Sequence, residues 1–196
     1  MPQCQEPPPC FIGKTSGKPP RRRTRSGNAD LLVFPEYAGC ATALIGAPHP
    51  QTIVETLSRA AEHADAYQSL LQAVTADRLC LTGSTPYETA NGLVNRTWML
   101  GQGAVLGHQD KLKLTPWERA NTPFHPGKGQ SLFEAASLRI GATLCYDAEF
   151  PLLARTLAKQ DVQILAVPAC TDTWAGQTRV SNSARARALE AQAITL

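Results

Sequence analysis

From residue 28 onward, short apolar runs alternate with longer segments of helical period. That alternation restricts the chain to folds in which helices cover a parallel or mixed sheet. Leu31-Leu32-Val33-Phe34 ends at Pro35 and reads as a buried strand that delivers Glu36 at its carboxyl end. Residues 50–76 set Ile53, Leu57, Ala60, Ala61, Ala64, Leu71 and Val74 on one helical stripe, with Pro50 suited to the first turn. Residues 78–83 read as a strand. Residues 97–100 and 104–107 read as a hairpin turning at Gly101-Gln102-Gly103. Further strands are expected at 137–146 and 162–167, with a helix over 151–159 between them and a last helix over 183–194. The fold class implied is α/β, a sandwich with a mixed sheet.

Residues 1–27 have a different texture. They hold six Lys and Arg against one acid, so the net charge of +3 divides into +5 on this segment and −2 on the remaining 169 residues. Six of the 27 are proline and five are apolar, a composition that cannot close a core and predicts a disordered arm ahead of one domain over 28–196. Nucleic-acid binding would have to rest on Arg22, Arg23 and Arg25 of that arm alone, and the expected reading is a solvated tail. No apolar run approaches the roughly 18 to 20 residues of a membrane span, and no charged-then-apolar start resembles a secretory signal. A cytoplasmic protein is expected. The six cysteines form no CxxC pair, and His49, His63, His108 and His125 form no HxH or HExxH pattern, so no metal site is expected.

Three strand ends or loops carry polar residues that an ordinary sheet does not require: Glu36 after LLVFP, Lys111 after GHQD and Cys145 after LRIGATL. Cysteine attack on an amide or nitrile needs a thiolate, and a thiol of ordinary pKa, about 8.5, supplies only a few per cent of it at neutral pH. A cation and a base beside the thiol answer that need. Lys111 would stabilise the thiolate and then the substrate oxyanion, and Glu36 would take the thiol proton and return it to the leaving amine.

At these residues the sequence resembles the carbon-nitrogen hydrolase (nitrilase) superfamily. LVFPEYAG resembles the segment of that family's catalytic glutamate, HQDKLKLTPWE its lysine segment and GATLCYDAEFP its nucleophile elbow. The resemblance implies Glu36, Lys111 and Cys145 as a catalytic triad on a four-layer αββα sandwich. Glu118 is implied as an additional glutamate that positions substrate and lysine, and the Tyr146 N–H as an oxyanion donor beside Lys111. Lys113 is the competing lysine and falls where the family carries histidine. VPACTDTWAG and ARARALEAQ resemble an aliphatic amidase-like branch, which implies a small amide substrate, an acyl-thioester intermediate, no cofactor and a homodimer. Glu149 stands where many relatives carry Arg. The resemblance begins after the family's usual first strand and helix and stops before its last strands, so a domain incomplete at both ends is expected.

Alternatives remain at this level. The chain could be a catalytically incompetent piece or an interaction module of the same fold, or it could prefer nitriles. Cys145 could instead pair with His108 or His125 in a papain-like arrangement, which would leave Glu36, Lys111 and Glu118 without a role. Asp147 could cap a helix, Asp172 could support a loop, and Tyr37 and Trp174 could line the pocket or merely pack.

Overall fold

The computed structural model describes residues 29–46 and 48–196, and Leu31–Leu196 form one compact unit. The expectation for residues 1–27 lies outside the described residues. The first sheet has the spatial order β1 (Leu31–Val33), β2 (Leu79–Leu81), β4 (Gly92–Gly101), β3 (Thr85–Thr89), and β5 (Ala104–Asp110) also pairs with β4. Strands β1 and β2 are parallel; the other pairs are antiparallel. The second sheet runs β6 (Leu132–Ala135), β7 (Leu138–Ala142), β8 (Ile164–Ala166), β9 (Ile194–Thr195), with only the β6–β7 pair antiparallel.

Strand periodicity explains how the sheets stack. Successive side chains leave a strand on opposite faces, so Leu79, Leu81 and Met99 turn toward Phe133, Ile140, Ala142 and Ala166 of the second sheet. Cys80, Trp98 and Leu100 turn the other way, onto Ala64 and Leu71 of α2 (Ala64–Val74). On the far side, Leu165 packs with Ala154 and Leu157 of α4 (Pro151–Ala158) and with Ala191 of α5 (Trp174–Ala191). Gly141 on β7 faces Leu157 so closely that a Cβ there would lie 2.5 Å from its Cδ1. The result is helix, sheet, sheet, helix: the αββα layering that the resemblance implies. Leu81, Met99, Ile140 and Leu144 are fully enclosed between the sheets, each contributing roughly 1.5–3 kcal/mol of burial.

Several element expectations are corrected. The single helix over 50–76 is two, α1 (Ile53–Glu62) and α2, broken at His63. Pro50 lies outside α1, because Thr52 and Glu55 close a capping box at its N-terminus. The break rotates the stripe: Leu57, Ala60, Ala64 and Leu71 are buried, whereas Ile53 and Val74 are 44% and 53% exposed. Strand β3 was not expected, since Pro86 argues against a central strand; it is an edge strand, where the missing N–H is tolerated. Strand β6 reaches β7 through Ala136 and Ser137, both at positive φ without the usual Asn or Gly signal. The last helix starts at Trp174, with Thr173 capping the Gly176 N–H at 3.1 Å, and Ile194 lies in β9 rather than in that helix. The helical signal was faint because only Val180 and Arg187 of α5 are buried.

Gly83, just past β2, sits at φ +70°, and a Cβ there would meet the Pro35 carbonyl oxygen at 2.2 Å. Neither the dihedral nor the contact tolerates a side chain, and Pro35 directly precedes Glu36. Gly83→Ala is expected to cost about 2–4 kcal/mol. A urea titration should show a lower midpoint at unchanged slope; an unaltered midpoint would refute the steric account.

Candidate active site

The site is assembled from loops at the carboxyl ends of strands. Glu36 follows Pro35 beyond β1 and is 3% exposed. The next residue, Tyr37, adopts a left-handed conformation, φ 62°, and donates its N–H to Ser84 Oγ at 2.9 Å. Lys111 comes one residue after β5. Its N–H donates to the Asn95 carbonyl at 2.9 Å and its own carbonyl accepts from Gly127 N–H at 2.8 Å, so its backbone is fixed on both sides. Strand alternation separates it from Asp110, which makes a two-point ion pair with Arg96 at 2.6 and 2.9 Å. Lys111 is thereby turned inward, 1% exposed, and its Nζ donates to Glu36 Oε1 and Glu118 Oε1, both at 2.7 Å.

Glu118 is placed by the first turn of α3 (Pro116–Asn121). Thr115 caps that turn, its Oγ accepting from Glu118 N–H at 3.1 Å while Glu118 Oε2 accepts from Thr115 N–H at 2.7 Å. The capping box leaves Glu118 Oε1 to accept from Lys111 and from the Tyr37 hydroxyl. Asn95, at the inward face of β4, donates Nδ2–H to Glu36 Oε1 at 3.2 Å.

Cys145 opens a short 3-10 turn (Cys145–Glu149) after β7 and holds φ 48°, a conformation a non-glycine residue adopts only under local constraint. Its N–H donates to the Pro168 carbonyl at 2.8 Å. Its Sγ lies 3.7 Å from the Cys170 carbonyl, and the thiol is near enough to Glu36 for each group to act on the other's protonation. Asp147 ties this turn to the lysine loop: its carboxylate accepts from Leu144 N–H at 3.2 Å, Leu112 N–H at 3.2 Å and Lys113 N–H at 2.7 Å. One buried side chain thus spans the residue before the cysteine and the two residues after the lysine.

The electrostatics divide the two glutamates. Burial raises the Glu36 carboxyl, and although Lys111 pulls it down, the neighbouring Glu118 charge adds to the rise. Glu118 is also penalised by burial, but Lys111, the Tyr37 hydroxyl and the Thr115 N–H outweigh that and hold it below the usual range. Burial opposes the Lys111 charge, and the two carboxylates together overcome it, keeping the ammonium protonated well above the usual lysine range. The carboxyl able to take up a proton is therefore Glu36, while Glu118 stays ionised. The Cys145 thiol is pushed up to about 12, first by burial and then by the Glu36 charge, with Lys111 offsetting only part. Lys111 is already committed to two carboxylates, so its charge offsets only part of that rise.

The structure brings together Glu36, Lys111, Glu118 and Cys145, and places Tyr146 next to the thiol on the same turn. The Tyr146 ring packs edge-on against Phe150 with centroids 5.0 Å apart. Lys113 is exposed, with its ammonium over the Phe150 ring at 5.6 Å. His108 and His125 instead line a separate cleft of about 430 Å³ with Arg96 and Asp110, and neither is among the groups acting on the Cys145 thiol. Tyr37 belongs to the site through Glu118, whereas Asp172 and Trp174 are exposed. Glu149 is matched by an ion pair with Arg179 of α5. The sequence reading missed Asn95, which sits inside an apolar strand run where a buried amide was the available signal, and did not foresee that Asp147 joins two loops. Among the described residues, no group of three or more His, Cys, Asp and Glu is placed to hold a metal ion, and no helix is long and apolar enough to cross a membrane.

Residues 20–195 match the carbon-nitrogen hydrolase family, and the chain belongs to it. It is 30% identical over 170 residues to a protein described as probable hydrolase YhcX of Bacillus subtilis (strain 168), covering 86% of this chain and 33% of that one. It is 29% identical over 145 residues to an (R)-stereoselective amidase of Pseudomonas sp, covering 74% of this chain and 49% of the relative. The chain thus spans between a third and a half of these relatives. The fold is also that of a mutant of the amidase from Nesterenkonia sp. AN1 in complex with butyramide, with a TM-score of 0.67 at 22% identity over 89% of this chain and 66% of the other.

Two outcomes follow from this geometry. Asp147→Ala strands buried N–H groups of both loops and is expected to cost about 2–4 kcal/mol in chemical denaturation; a loss below about 0.5 kcal/mol would show that the loops hold without it. A thiol whose pKa is raised stays protonated until the pH approaches that value. The thiolate absorbance difference between the unaltered chain and Cys145→Ala should therefore stay flat from about pH 6 to 9, and a step near neutrality would mean a preformed thiolate.

Proposed function

We propose that this chain hydrolyses small amides to an acid and ammonia or an amine, with Cys145 as nucleophile, Glu36 as general base and acid, and Lys111 as the oxyanion's cation. The observation that carries this reading is the Lys111 ammonium at 2.7 Å from a carboxylate oxygen of both Glu36 and Glu118, with the Cys145 thiol near enough to Glu36 for the two to act on each other's protonation.

The reaction begins with a neutral thiol. As Sγ attacks the amide carbon, its proton passes to Glu36, the carboxyl that burial has left readiest to accept one. The C–S bond forms as the carbonyl π pair moves to oxygen. An ammonium has three N–H donors; Lys111 spends one on each glutamate, and the third serves the new oxyanion with the Tyr146 N–H. That N–H belongs to the opening of the 3-10 turn, where no preceding helical carbonyl is available to accept it. Glu36 then hands its proton to the amide nitrogen, the C–N bond breaks, and an acyl-thioester remains on Cys145. Water delivers a proton to Glu36 and its oxygen to the acyl carbon; the second intermediate collapses, the C–S bond breaks, and the thiol recovers its proton as the acid leaves. Glu118 remains ionised throughout and holds Lys111 in place. The chemistry needs only these side chains and water.

The amidase relatives support an amide over a nitrile, and the bound ligand of the Nesterenkonia neighbour supports a short aliphatic amide. The test is ammonia release from butyramide and similar amides in a coupled assay. Cys145→Ala should abolish it, and Lys111→Ala should lower kcat/KM at least about 100-fold, the scale of losing a principal oxyanion donor. Hydrolysis that survives Cys145→Ala would overturn the covalent route.

A further inference from the structure

Asn95 is fully buried on β4, yet its Oδ1 has no hydrogen-bond partner. Such an orphan acceptor is destabilising, and an apolar side chain of similar size would avoid it. What the amide provides instead is at its other end. Nδ2 donates to Glu36 Oε1, the same oxygen that accepts from Lys111 Nζ. A carboxylate only accepts, so the amide must present its NH₂ here, and the orientation leaving Oδ1 unpartnered is the only one that suits an ionised Glu36. The backbone of the same residue seats the cation, since the Asn95 carbonyl accepts the Lys111 N–H at 2.9 Å.

We propose that Asn95 is the positioning residue for Glu36: with Lys111 it occupies Oε1, so that Oε2 is the oxygen that exchanges a proton with Cys145 and with the leaving nitrogen. The inference rests on the reading of Glu36 as the general base. Two donors on one oxygen fix the carboxylate plane and reserve the other oxygen. They also favour the ionised state, so removing Nδ2 makes Glu36 easier to protonate while the backbone contact to Lys111 persists.

The experiment replaces Asn95 by Leu, which matches the volume and lacks the donor, and by Val, which also lacks it and suits a strand. Carbon-13 carboxyl NMR follows the titration of Glu36 in each folded chain, with Glu36→Gln to assign the signal, and kcat/KM for butyramide is followed against pH. Both variants should raise the Glu36 midpoint by about one pH unit and move the acid limb of kcat/KM upward by the same amount, with kcat reduced roughly tenfold and KM little changed. A Glu36 midpoint that stays within about 0.2 units in both variants would overturn the proposal, and so would an unshifted acid limb. If the unaltered chain releases no ammonia, the hydrolase reading fails on that ground, and the NMR titration still decides whether Asn95 governs the protonation of Glu36.

Discussion

A lysine ammonium buried between two carboxylates is the constraint on which the rest of this structure depends. An ion of that kind withdrawn from water carries a penalty of several kcal/mol unless its partners are placed to recover it. Lys111 has both partners at 2.7 Å, and each is supplied by a different piece of chain: Glu36 by the end of β1, Glu118 by the first turn of α3. The local features around the site can be understood as the means of holding those pieces still. They are the left-handed Tyr37, the glycine that lets the Pro35 carbonyl approach β2, the Thr115 capping box and the Asn95 carbonyl under the lysine N–H.

The charge count inside the pocket also separates the two glutamates. One ammonium cannot fully neutralise two carboxylates, and the surroundings decide which of them carries the imbalance. Tyr37 and Thr115 donate to Glu118, whereas Glu36 receives Lys111 and one amide and is otherwise enclosed. The two glutamates are the same residue type at different positions of a proton-transfer scale. The cysteine beside Glu36 shares a cation that two carboxylates already engage, and its thiol is raised by burial and by the Glu36 charge, which Lys111 offsets only in part. This differs from the usual picture of a cysteine activated by a nearby positive charge, and it follows from where the lysine's hydrogen bonds are already spent.

Much of this was legible in the sequence because it lay in contiguous segments. LVFPEYAG, HQDKLKLTPWE and GATLCYDAEFP each carry a polar residue at a strand end or loop, and their resemblance, in that order, to the segments of one family nominated Glu36, Lys111, Glu118 and Cys145, which the fold brings together. The sandwich was legible too, since strands alternate with helices along the sequence, and the resemblance implied its four layers. What escaped depends on distant partners. Asn95 is an ordinary strand residue until Glu36 is seen above it, and Asp147 reads as a helix cap until the lysine loop is found against it. Pro86 hides an edge strand, and α5 buries so few side chains that its first turns carry no periodic signal. The same holds for the lysine's partners: spacing places a lysine and a cysteine in one site without showing what else the lysine touches.

The parallel pairings have a consequence for how the protein reaches this state. Leu31 pairs with Leu79 and Ile140 with Ile164, so each parallel pair joins segments separated by a helical stretch, and contacts this far apart in sequence slow folding. Asp147 then accepts N–H groups across the gap between two loops that no single hairpin contains. Glu36 and Lys111 follow strands of the first sheet, and the Cys145 turn follows a strand of the second. The two halves of the site therefore meet only where the sheets dock, so packing between the sheets and placement of Cys145 beside Glu36 are one structural requirement.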